Sequence, residues 1–167
     1  MALASYNPAE VVMFLADIIQ VDDVMDGTFI QISKDTQVFS SSTSTDGQVY
    51  RRRNSNNNYT ITLTLTSSSR SSRVLQYFLI ADQTTSIAKF PVFIKDMSGS
   101  TLFHATTCWI EQQPDITFSQ QVSARTWIIR ATGCTLAYGD NYSRSSIGED
   151  AFDLVVGGIP SISGLIQ

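Results

Sequence analysis

Tyr59-Thr60-Ile61-Thr62-Leu63-Thr64-Leu65-Thr66 alternates without a break. Ile61, Leu63 and Leu65 share one side of an extended chain. Thr60, Thr62, Thr64 and Thr66 share the other. A period of two is the strand period, so this stretch reads as a strand with one face in a core and one face in water. The next residues change the period. Ser67-Ser68-Ser69-Arg70-Ser71-Ser72 offers several hydroxyls able to cap a helix N-terminus. Val74, Leu75, Phe78 and Leu79 then fall on one stripe of a helix over about residues 70–82.

Strand signals dominate on both sides of this pair. Downstream, Phe90 to Met97 leads through Ser98-Gly99-Ser100, a tight turn, to Thr101 to Gln112. Pro114-Asp115 breaks the chain. Ile116 to Val122 reads as another strand. Ala124 to Ala137 reads as a long last one, with Trp127, Ile129 and Ala131 on one side. Upstream, residues 9–20 fit a strand or an edge-covering segment, although Val11 to Leu15 could equally begin a helix by periodicity alone. Asp26-Gly27 is a turn signal, and Thr28 to Ser33 alternates. Short strands at regular spacing with one helical stripe predict a mainly β chain: an antiparallel β-sandwich or barrel with one short flanking α-helix.

Residues 39–58 break this pattern. Ser40-Ser41-Ser42-Thr43-Ser44-Thr45 is followed by Asp46-Gly47, Arg51-Arg52-Arg53 and Asn54-Ser55-Asn56-Asn57-Asn58. Little apolar surface is available to bury. Asp46-Gly47 is a hairpin turn, and Gln48-Val49-Tyr50 is expected to pair back on Thr36-Gln37-Val38. The stretch reads as a long protruding hairpin or loop, and such loops are commonly functional. After Tyr138 the pattern fades. Phe152, Leu154, Val155, Val156 and Ile159 alternate with Gly157, Gly158 and Pro160. The expected organisation is a β domain over 1–138 and a C-terminal extension over 139–167 that packs on a neighbouring surface.

The 167 residues suffice for one ordinary core. Only 16% are charged, against a typical quarter. Such a surface meets other chains at little desolvation cost. The net charge of −4 argues against a general nucleic-acid binder. No run reaches the roughly 18 apolar residues of a membrane helix. Met1 to Tyr6 carries no base, so a signal peptide is not expected.

No catalytic constellation stands out. No G-x-S-x-G, P-loop or G-x-G-x-x-G occurs. The one histidine, His104, lies in a strand near Phe103 and Trp109 and reads as structural or interfacial. Cys108 and Cys134 lie in apolar runs without C-x-x-C spacing, so a zinc site is improbable. Two buried thiols are expected, with a disulfide left open. Asp22, Asp23 and Asp26 lack the ligand spacing of a calcium loop and read as a solvated turn. Arg51, Arg52 and Arg53 could grip phosphate, but within an acidic chain they read as a patch that pairs with acids on another subunit. No enzyme activity, cofactor or metal is expected.

Several segments together resemble the tail-tube subunits of contractile-tailed phages. They are Tyr6-Asn7-Pro8-Ala9, then Asp26-Gly27-Thr28-Phe29-Ile30 with Asp35, and Asp46-Gly47 with the arginines and asparagines after it. The Thr60 to Thr66 strand and the serine-led helix follow. Then come Phe90 to Asp96 with Ser98-Gly99, Trp109-Ile110, Pro114 to Phe118, and Arg125-Thr126-Trp127. Their order and spacing cover residues 6–138; the segment from Gly139 is longer than the pattern.

The resemblance implies a structural virion protein that forms hexameric rings stacked into a hollow tube. That tube lies inside a sheath, begins on a baseplate or initiator, and meets a tape-measure protein. It would be assembled in the host cytoplasm and conduct DNA without holding it or inserting in a membrane. On that reading Asp46, Arg51, Arg52, Arg53, Tyr59, Phe152, Leu154 and Ile159 are contacts between subunits or rings. Asp22, Asp23 and Asp26 are candidates for an acidic lumen, whose repulsion of DNA is screened over about 8–10 Å. A tube protein of a related contractile secretion system is the first alternative. A nucleic-acid-binding module using Arg51 to Arg53 is the second.

Overall fold

The alternation of Tyr59–Thr66 becomes a buried strand with its threonines turned outward. The computed structural model describes residues 4–141. In chain order the strands are β1 (Val11–Leu15), β2 (Ile19–Gln20), β3 (Ile30–Lys34), β4 (Phe39–Thr43), β5 (Val49–Arg53), β6 (Tyr59–Thr66), β7 (Phe90–Asp96), β8 (Leu102–Gln112) and β9 (Ala124–Ala137). The helix α1 spans Arg70–Thr85, between β6 and β7. Seven strands form one sheet in the order β2-β1-β7-β8-β9-β6-β3, and β4 and β5 form a separate two-stranded sheet. The described residues are mainly β, with antiparallel sheets and a single α-helix, consistent with a β-sandwich. The outer strands β2 and β3 are not paired to each other, so the described strands close no barrel.

Contacts group the chain into two units. The larger holds residues 13–93 and 104–135. Of the described residues, the smaller holds 4–12, 94–103 and 136–141.

In the larger unit β6 lies between β3 and β9. Ile61 pairs with Ile129 and Leu63 with Trp127 across the β6–β9 register. All four are buried, and Ile61, Leu63 and Leu65 have no exposed surface. On the other side β6 pairs with β3, Ile61 opposite Ile32 and Leu63 opposite Ile30. Helix α1 adds Leu75, which is fully buried, and Phe78, whose ring stacks on Phe90 at 4.5 Å between centroids. Ser69 caps the helix by accepting from the Ser71 N–H. Ser86 ends it in the left-handed region at φ 58°, donating back to the Asp82 carbonyl.

The smaller unit is held by a polar cluster on the turn between β7 and β8. The Asp96 carboxylate accepts from the Ser98 N–H and hydroxyl and from the Asn141 amide. Burial raises its pKa, but these hydrogen bonds outweigh burial and hold it below the usual carboxylate range. Ser100 and Thr101 bond to the backbone of Asp140 and Gly139. A Cβ on Gly139 would lie 2.3 Å from the Ser100 carbonyl carbon, so this close approach requires glycine. The first residues of the expected C-terminal extension are therefore packed.

Two expectations are corrected. Residues 116–122 form no strand: Ile116, Phe118 and Val122 lie in an irregular segment and are 69%, 92% and 59% exposed. Their alternation resembles a strand's, but neither face finds a core to cover it. The hairpin register also differs. Val49 pairs with Thr43 and Tyr50 with Ser42, not with residues 36–38. The Ser44 N–H donates to the Gln48 carbonyl and the Gly47 N–H to the Ser44 carbonyl, so the loop closes tightly at Thr45-Asp46-Gly47. Gly47 takes φ +81°, the left-handed residue such a three-residue loop demands.

Candidate assembly surfaces

The hairpin of β4 and β5 is built from side chains that cannot make a core. All ten strand residues are exposed. Among the described strands the two pair only with each other. An isolated two-stranded ribbon is marginal in water, so local contacts must support it. The Arg51 guanidinium sits 3.6 Å from the centroid of the Phe39 ring, a cation–π contact. The stem runs into the main sheet through Asn54 N–H to the Val38 carbonyl and Asp35 N–H to the Asn58 carbonyl. The asparagine run is a chain of local turns. Asn54 Oδ1 accepts from the Asn56 N–H, and Asn56 Oδ1 accepts from the Asn58 N–H. Asn57 ties the run to β9 by donating to the Cys134 carbonyl.

Four of the expected contact residues, Asp46, Arg51, Arg52 and Arg53, lie on this ribbon. Asp46 stands in the exposed loop. Arg51 and Arg53 project from one face of β5 and Arg52 from the other. No described carboxylate pairs with any of the three. Tyr59 lies where the ribbon joins the sheet, opposite Lys34, whose ammonium is 5.2 Å from its ring centroid. Val49 and Tyr50 add exposed apolar surface. Among the described residues the result is a ribbon with two free edges, three arginines on β5 and exposed apolar side chains, which fits addition to another chain.

Asp22, Asp23 and Asp26 form an exposed turn. Its backbone is pinned. The Asp22 N–H donates to Ser71 Oγ, the Ser69 and Ser71 hydroxyls donate to the Asp22 carbonyl, and the Thr66 N–H donates to the Asp23 carbonyl. These bonds hold the backbone of Asp22 and Asp23. Phe152, Leu154 and Ile159 lie outside the described residues.

A charged cluster that sequence reading missed lies on the threonine face of β6. Arg130 of β9 forms a bidentate pair with Glu111 of β8, at 2.7 and 3.0 Å. It also donates to Asp35, which accepts from the Thr60 hydroxyl at 2.6 Å. Burial raises the Asp35 pKa, but the Thr60 and Arg130 hydrogen bonds outweigh it and hold the carboxyl below its ordinary value. Glu111 and Asp35 raise that of Arg130 further. Only the register of three strands gathers these residues, so no spacing in the sequence announces them.

A second missed feature is a groove of about 350 Å³ between the start of α1 and residues 113–116. Arg73, Gln76, Arg125, Ile116 and Trp127 line it, with Ser67, Ser68 and Ser72. The Trp127 indole N–H donates to the Ser72 hydroxyl. Arg125 Nε is buried with no hydrogen-bond partner among the described residues.

Cys108 and Cys134 are free and buried. Burial, with Cys134 nearby, pushes the Cys108 thiol up to about 12. Burial also raises that of Cys134. Neither is an activated nucleophile. His104 is half-buried in β8, with its ring 6.3 Å from that of Phe93. Among the described residues no group of His, Cys, Asp and Glu could hold a metal ion. No described helix is long and apolar enough to cross a membrane.

No protein-family model matches the chain. Over 84 residues it is 32% identical to structural protein ORF10 of Pseudomonas phage KPP10. That match covers 49% of each chain, so the chain spans about half the length of this curated relative. Three cryo-EM structures share the fold. One is the tube-terminating cap of the anti-feeding prophage, with TM-score 0.58 and 12% identity over 81% of this chain and 92% of that one. The second is a chain of the sheath–tube complex of PVC, an extracellular contractile injection system, in its extended state. Its TM-score is 0.56 and its identity 10%, over 80% and 91%. The third belongs to the sheath/tube terminator of the same system, with 0.54 and 11% over 80% and 97%. At these identities the likeness is one of fold.

Proposed function

We propose that this chain is a structural subunit of a contractile tail or injection apparatus, and that copies of it form rings that stack into a tube. The carrying observation is the β4–β5 ribbon: ten exposed strand residues, paired only to each other among the described strands, with two open edges and three arginines that pair with no described carboxylate. A lone protein leaves such edges as a liability. A closed ring of copies removes them by pairing or covering each edge with a neighbour. The fold shared with chains of a tube-terminating cap, a sheath–tube complex and a sheath/tube terminator supports this reading, as does the match to a phage structural protein. The ring is hexameric, the tube has a sheath as partner and lies in the virion tail, and it conducts DNA without binding it. The role is architectural, without a catalytic step.

A tube or cap protein of a contractile injection system is the second reading, favoured by the neighbours' own assemblies. Sedimentation velocity across a concentration series tests both. Discrete rings of six chains, growing into larger species, are expected. A single monomer boundary at every concentration, with or without an initiator complex, would refute both.

A further inference from the structure

We infer that the groove between the start of α1 and residues 113–116 receives the acidic, apolar segment Glu149 to Val156 of a second copy. This rests on the ring reading above and names the partner of a site that reading does not use. The groove offers two guanidiniums, Arg73 and Arg125, and neither pairs with a described carboxylate. Arg125 Nε is buried without an acceptor. Beside these donors lie the apolar surfaces of Ile116 and Trp127. The occupant must therefore bring carboxylates and apolar side chains together.

Glu149-Asp150-Ala151-Phe152-Asp153-Leu154-Val155-Val156 does so, with three carboxylates in five residues and Phe152 and Leu154 between and after them. In the other acidic cluster, Asp22 and Asp23 are already anchored through their backbone to Ser69, Ser71 and Thr66, with Asp26 three residues on in the same turn. It is not free to enter another copy's groove. Charge-assisted hydrogen bonds to guanidinium are the strong kind, and a segment exchanged between copies ties neighbours together at no cost in new domains.

The test uses the full chain with a photo-crosslinking amino acid at Gln76, mixed from light and heavy isotope cultures. Light–heavy crosslinks mapping to 149–156 are expected. They should fall about fivefold or more in Arg73→Glu and in Glu149→Lys/Asp150→Lys/Asp153→Lys, and recover when the two are combined. Arg73 is exposed, so its variant should keep the far-UV circular dichroism of the parent. Crosslinks to residues 22–26 or 39–53, crosslinks within one copy only, or crosslinks indifferent to the charge variants would each overturn the inference. Rings lacking the crosslink overturn it alone. The crosslink without rings overturns the ring reading alone.

Discussion

Gly133 and Asp35 show how single residues set this sheet. Gly133 sits in β9 at φ +63°, and a Cβ there would lie 2.2 Å from Thr106 Oγ1. Gly133→Ala is expected to lose about 1–3 kcal/mol of unfolding free energy in urea. Adding Thr106→Ala should return part of that loss, because it removes the clash and leaves the backbone strain. A double variant no better than the single would show that the contact is not the cause.

Asp35 carries a pH signature. Its folded pKa lies below the unfolded value near 4. Its contribution is therefore complete above the unfolded value and is lost as pH falls through the folded one. Asp35→Asn removes that limb. The stability gap between parent and variant should hold steady above about pH 5 and shrink as pH falls below the unfolded value in urea titrations. Asp96 shifts the same way in both proteins and cancels. A gap independent of pH would place the Thr60–Asp35–Arg130 bonding outside the stability of the folded chain.

Elements differ in how much of them local sequence determines. β6 and α1 were legible because burial and period agree within a few residues: Ile61, Leu63 and Leu65 are buried and their threonine neighbours are not. β9 was legible for the same reason. Residues 116–122 were not, since an alternating segment with no core to meet has the same local signal as a strand. The ribbon's register was misplaced because Gly47 closes the loop immediately, a choice made by one backbone angle. The Asp35–Glu111–Arg130 cluster and the Arg73–Arg125 groove were invisible, because both form only when distant strands and the helix meet. The ribbon also gives a prediction at this scale. Arg51→Glu/Arg52→Glu/Arg53→Glu replaces only exposed side chains, so thermal unfolding should move little, within about 0.5 kcal/mol per site. Association by sedimentation should fall sharply. Unchanged association would remove the ribbon from the interface.

At the scale of the whole molecule, the proposed self-association draws on low charge, on a seven-stranded sheet with a separate ribbon among the described strands, and on a fold shared with chains of a tube-terminating cap and a sheath–tube complex. The sequence could suggest association through its missing charge. It could not show that the ribbon leaves its edges open, which is a fact of tertiary structure. The most direct measurement is cryo-electron microscopy of the concentrated full-length protein. The expected images are six-fold rings and stacked tubes with the β4–β5 ribbon of each subunit seated on a neighbouring chain. Particles the size of one chain, or rings in which that ribbon touches no other subunit, would contradict it.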